Sequence, residues 1–220
     1  DLDTQEWQHL TAVYDTGSDE VRVYKNGKLR ETHPIGYDST TGDLAIGQRS
    51  ERNDENFPGR ADEVRIYSSA LNTSQIKSIY NSGSWRIGTN TEEDDPSKVL
   101  DISFQHQNNT HVYDTSGYEN HGTRENGVGQ ARSGDCKIGR GYSFDGDDDY
   151  VDVQESPGSF SDSVTVTGWL NPDRIQGENR QWLVEEGDGF MSYIGGGNSQ
   201  LYLRITADQS TTTWNSGYTV

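Results

Sequence analysis

"RADEVRIYSSALNTSQIKSIY" (Arg60 to Tyr80) holds two periodicities side by side. Its first half, with Ala61, Val64 and Ile66 apolar, reads as a β-strand. In its second half Asn72 stands as an N-cap with Gln75 three residues on, a capping-box arrangement. Ile76, Ile79 and Tyr80 then give the i, i+3, i+4 stripe of a helix. Gly83 is expected to close that helix, as glycine tolerates the left-handed turn at a helix end. The spacing predicts one short helix near residues 73–81.

Outside this helix the chain keeps to period two. "WQHLTAVYD" puts Trp7, His9, Thr11 and Val13 on one face and Leu10, Ala12 and Tyr14 on the other. "VRVYKNG" sets Val21, Val23 and Lys25 opposite Arg22 and Tyr24, and Asn26-Gly27 supplies the left-handed pair of a tight hairpin turn. "VLDISFQ", "GYSFDGDDDYVDV", "SVTVTGWLNP", "QWLVEEGDG", "FMSYIGGG" and "QLYLRIT" follow, spaced by Gly, Asn and Asp turns. Many short strands so spaced predict an all-β, antiparallel sandwich. "SWRIGTNTEEDDPSK", with four consecutive acids and a proline, divides the chain into segments 1–84 and 98–220, with 85–97 as an acidic linker.

The formal net charge is −18, from 36 acidic and 18 basic residues, only five of them lysines. A surface so acidic offers no basic patch, which excludes nucleic acid and anionic membrane surfaces as partners. No stretch approaches the roughly 20 apolar residues of a membrane helix, so no membrane insertion is expected. Hydrophobic residues make up only 29 % of the chain, yet its 12 Tyr, 5 Trp and 5 Phe sit in alternating runs that a disordered chain lacks. Acidity with scarce lysine suits a halophilic protein: at about 1 M salt the Debye length is about 3 Å and the self-repulsion is largely screened. Cys136 is the single cysteine, which rules out an intrachain disulfide and suggests a small packed residue.

Two blocks resemble a known family, the laminin-G-like or concanavalin-A-like jelly-roll domain. "WQHLTAVYD…VRVYKNGKL…LAIGQ…FPGRADEVRIYSSALNTSQIKSIY" is similar to the C-terminal half of such a domain. "VLDISF…VYDTSGYENHGT…GRGYSFDGDDDYVDV…SVTVTGWLNP" is similar to its N-terminal half. In the family the second block comes first, so the halves stand here in reversed order. Three arrangements would explain it: a circular permutant, a repeat cut from a longer array, or a chain whose halves complete those of its neighbours. The last two predict an extracellular or cell-surface structural block that assembles head-to-tail with copies of itself into a fibre or array. Leu2, Trp7, Leu10, Trp214, Tyr218 and Val220 would bear the junction.

The resemblance also implies a structural Ca2+ held by Asp114, Asn120, Gly122 and Asp62. Against it stands an Asx-type turn that needs no ion. The acid run Asp145, Asp147, Asp148 and Asp149 lacks the spacing of a calcium loop and reads as a run of solvated acids. No catalytic residues are expected. Glu185 and Glu186 are adjacent and would point to opposite faces of a strand, and no Ser-His-Asp or phosphate-binding motif is present. The alternative function is a lectin-like module binding extracellular glycans, with Trp182, Tyr193, Tyr202 and Trp214 as stacking residues. Aromatics at alternating positions more often fill a core. Asn72 and Asn108 head N-glycosylation sequons.

Overall fold

The computed structural model describes residues 5–34, 44–48, 56–84, 95–132, 134–153, 163–174, 181–186, 190–195, 200–207 and 210–215. In chain order the strands are β1 (Gln8–Asp15), β2 (Glu20–Lys25), β3 (Lys28–Pro34), β4 (Leu44–Ile46) and β5 (Pro58–Tyr67). The helix α1 (Thr73–Ser84) comes next. Then follow β6 (Lys98–Ile102), β7 (His111–Val112), β8 (Gly122–Glu125), β9 (Gly129–Gln130), β10 (Tyr142–Asp145) and β11 (Tyr150–Val153). The last are β12 (Val164–Pro172), β13 (Gln181–Glu186), β14 (Phe190–Gly195), β15 (Gln200–Ala207) and β16 (Ser210–Asn215).

They form two antiparallel sheets. One runs β3-β2-β1-β12-β5-β10-β9, with β6 also on β5; the other runs β16-β15-β14-β13-β4-β11-β8-β7. The two sequence segments interleave. From the second segment β12 lies between β1 and β5 of the first, and from the first β4 lies between β13 and β11 of the second. Within this one chain, therefore, the two segments build a shared sandwich.

The period-two reading sorts the faces of β1. Leu10, Ala12 and Tyr14 enter the main core with Val64, Ile66, Val166, Ile46 and Val151 from both sheets. Val13 turns outward to a second cluster with Tyr24, Tyr67, Leu71, Ile76 and Ile79, which seats α1 on the outside of the first sheet. Asn26 and Gly27 both have positive φ (52° and 70°), the geometry of the predicted hairpin turn. Asn72 accepts the Ser74 and Gln75 N–H groups, and Gln75 returns a bond to the Asn72 N–H at 2.9 Å. That completes the capping box.

Gly83 departs from its expected role, for α1 continues through it to Ser84. A Cβ there would run into the Trp169 indole nitrogen, so the missing side chain serves close packing of helix on sheet.

Candidate functional site

Asp114 sits in the loop after β7 and is buried. Its Oδ1 accepts the backbone N–H of Asp101 at 2.7 Å and of Ser116 at 2.9 Å. Its Oδ2 accepts the Ser116 hydroxyl at 2.7 Å and the Asn120 N–H at 3.0 Å. A carboxylate has about four lone-pair positions, and all are taken by donors. The other expected calcium ligands have structural roles of their own. Asn120 Nδ2 donates to the Val99 carbonyl at 2.9 Å. Gly122 is a packing site where a side chain would collide with Val151 and Val112. Asp62, fully buried on β5, accepts the Ile138 N–H at 2.8 Å. A cation needs free oxygen lone pairs, whereas converging N–H groups present positive charge to the same oxygens. Asp114 fits a staple that ties the 114–120 turn to β6, with its lone pairs taken by donors rather than left for a Ca2+ ion.

The acidic hairpin between β10 and β11 brings Asp145, Asp148 and Asp149 within 4.8 Å of one another. Asp145 Oδ1 accepts the Asp147 N–H, and Asp149 Oδ2 accepts the Asp145 N–H at 3.0 Å. Burial, with the neighbouring carboxylates of Asp145, Asp148 and Asp147, raises the Asp149 carboxyl above its ordinary value despite that N–H bond. These bonds shape the turn itself, and Asp149 is buried where the sequence predicts solvated acids.

A polar and aromatic layer under α1 escaped the sequence reading. His9 on β1 is 1 % exposed; its Nε2 bonds Thr167 Oγ1 at 2.9 Å, and Thr167 Oγ1 bonds Thr11 Oγ1 at 2.8 Å. The imidazole lies edge-on to Trp169 with ring centres 5.1 Å apart, and Tyr80 of α1 stacks on Trp169 at 5.5 Å. Lys137 Nζ lies 4.0 Å from the Trp169 ring centre, a cation–π contact. Burial, reinforced by the Arg65 and Lys137 charges, lowers the His9 pKa to about 3, so the ring is neutral. Residues 9, 80, 137 and 169 meet only through tertiary structure, and no local pattern announces them.

Beside this layer Glu63, Arg65, Asp101 and Lys98 form a buried ion network. Arg65 reaches Glu63 at 2.5 Å and Asp101 at 3.1 Å, and Lys98 reaches Asp101 at 2.8 Å. Burial would raise the Asp101 carboxyl, but Arg65 and Lys98 outweigh it and hold it below its ordinary value. Glu63 has φ of 53° where the neighbour of β5 changes from β10 to β6. The network closes that switch. Cys136 is half-buried, and burial pushes its thiol up, away from the reactive thiolate. Between the sheets an apolar cavity of about 40 Å3, lined by Leu10, Phe57, Val64, Val166 and Leu170 among others, holds little to orient a polar ligand.

The laminin G model of the concanavalin A-like lectin/glucanases superfamily matches residues 1–77, and the two packed antiparallel sheets are that architecture. Those residues, about a third of the chain, are similar to a laminin G domain, and the described residues form a concanavalin-A-like β-sandwich. The matched stretch covers β1 to β5 and ends inside α1. No curated protein matches the chain.

The expected glycan-stacking residues divide by register in this sandwich. Trp182 pairs with Tyr193, and Tyr193 pairs with Tyr202, a single cross-strand row over β13, β14 and β15. Trp214 stands opposite Leu203, one step along, in the row that passes through Ser192 to the core residue Val184. Of the expected junction residues, Leu10 is buried, with β2 and β12 of its own chain on either side, so it bears an intrachain joint. Trp7 is half-buried just before β1. Leu2, Tyr218 and Val220 lie outside the described residues.

Proposed function

We propose that this chain is a laminin-G-like, extracellular, non-catalytic building block that joins copies of itself along a sheet edge. One observation carries the reading: among the described residues β16 is the end strand of its sheet, six residues of "STTTWN" with no charge and no proline. The other end strands of the described sheets are guarded or covered: β6, which pairs only with β5, is capped on its far edge by the 114–120 turn, whose Asp114, Thr115, Ser116 and Asn120 bond its backbone. β3 is largely exposed "KLRETHP", with four ionisable side chains and a proline, while β7 and β9 are two residues each. An uncharged edge strand is a template for strand addition by main-chain hydrogen bonds. The occupant is β16 of a second copy, antiparallel across a two-fold axis, because like edges then meet without encountering a guarded one. A head-to-tail fibre would have to join β16 to one of the guarded edges.

The charge of −18 makes association salt-dependent. Sedimentation in about 2 M KCl should give a two-copy species, and in about 0.1 M salt a monomer or a loosened chain, distinguished by circular dichroism. Register places Thr211 and Thr213 off the row of Trp214. The double variant Thr211→Lys/Thr213→Lys should weaken the pair at least tenfold, about 1.4 kcal/mol, with unchanged circular dichroism. Growth into long ladders would favour head-to-tail joining. A compact monomer at all salt concentrations would overturn the reading.

The row Trp182–Tyr193–Tyr202 favours a second reading, a lectin-like surface on which sugar rings stack. It predicts saturable glycan binding that Tyr193→Ala removes and Trp214→Ala leaves. An array of glycans that yields no saturable ligand would count against it.

A further inference from the structure

The two sequons are built differently. Asn108 heads an exposed turn between the bridge residues Gln107 and Val112. Its Oδ1 accepts the Thr110 hydroxyl at 3.0 Å and the N–H groups of Thr110 and His111 at 2.8 and 2.7 Å. Its Nδ2 donates to Tyr113 Oη at 2.7 Å, which uses one of its two hydrogens. The hydroxyl that defines the sequon is therefore already on the amide it must assist. Drawing electron density to Oδ1 polarises the amide toward its imidate form, in which the nitrogen is the nucleophile.

At Asn72 the local geometry does something else. Oδ1 is held by the Ser74 and Gln75 N–H groups of the first turn of α1, and the residue is locked in a capping box. Its amide oxygen serves the helix N-terminus, and those bonds come from backbone nitrogens.

We infer that Asn108, and not Asn72, is the site at which this chain takes an N-linked glycan. The donor is an oligosaccharide carried on a polyprenyl pyrophosphate. Asn108 Nδ2 bonds to the anomeric carbon, the bond from that carbon to the phosphate oxygen breaks, and one amide proton leaves to the transferase. The second Nδ2 hydrogen and every Oδ1 bond stay in place, so the folded turn accommodates the product. Both turns are local in sequence and form in the nascent chain, where the transferase acts. The inference rests on export from the cell, which the building-block reading also requires.

The consequence concerns the edges. Asn108 lies three residues before β7, the end of the sheet opposite β16. A bulky, hydrated glycan there blocks strand addition at the β7 edge and leaves β16 as the open one.

The test is site occupancy, measured by peptide mass spectrometry after enzymatic deglycosylation in heavy-oxygen water, on chain secreted from a glycosylating eukaryotic host. The expected result is occupancy at Asn108 at least tenfold above that at Asn72. Asn108→Gln should remove nearly all glycan mass, and Asn72→Gln almost none. Equal occupancy, or glycan on Asn72 with Asn108 bare, overturns the inference, as does secreted chain bare at both sites. Occupancy is read on peptides, so it is independent of whether the folded chains associate.

Discussion

Asp114→Ala will cost about 3–5 kcal/mol of stability, and it will do so equally in millimolar calcium and in chelator. The cost follows from what the carboxylate holds: the N–H groups of Asp101, Ser116 and Asn120 and the Ser116 hydroxyl all converge on it. A bond to a charged group is worth about 1.5–3 kcal/mol, and a buried donor left without an acceptor loses about 1–3 kcal/mol more. The estimate stays below the full sum because some donors will find water once the side chain is gone. Asp114→Asn separates charge from shape. It keeps one carbonyl oxygen but aims an NH2 group at donors, and should recover at most a third of the loss. Urea denaturation in molar salt, with calcium and with chelator, measures both effects. A wild-type stability that rises by more than about 1 kcal/mol in calcium would mean that the turn binds the ion after all.

How far the sequence discloses this molecule follows from the range of each interaction. The faces of β1 were legible because alternation is a local property: Leu10, Ala12 and Tyr14 do enter the core, and Val13 does face the helix. The capping box at Asn72 and Gln75 was legible for the same reason. Gly83 was misread because its cause, the approach of Trp169, lies far away in the chain. The same distance hid the His9, Tyr80, Lys137 and Trp169 layer. At Asp114 the sequence offered a calcium ligand and an Asx turn without choosing between them. The choice needed the Asp101 N–H, which β6 delivers from thirteen residues upstream.

Lowering the pH from 7.5 to 5.0 will remove about 2 kcal/mol of stability through His9 alone. In the folded chain its pKa lies at about 3, while the ordinary value is 6.5. The unfolded chain therefore takes up the proton first. The contribution is fully present above pH 6.5, falls as the pH drops through the window between 6.5 and 3, and is gone below it, at a limit of about 5 kcal/mol. The charges facing the ring act in the same direction as its burial: Arg65 approaches from β5 and Lys137 from the loop before β10, and both repel an imidazolium. His9→Phe keeps a ring beside Trp169 and Tyr80 and loses the Thr167 bond. It should be less stable than wild type at pH 7.5 by about 1–2 kcal/mol and should lose about 2 kcal/mol less between pH 7.5 and 5.0. Urea midpoints for the two proteins at both pH values, in the same molar salt, isolate the His9 contribution, since every other residue is common to both. An identical loss in both would refute a neutral His9. Because Tyr80 of α1 packs on this ring and on Trp169, protonation acts first at the seat of the helix. Acid should then raise hydrogen exchange in α1 before it does so in β5 or β12, whose ladders lie in the middle of the sheet.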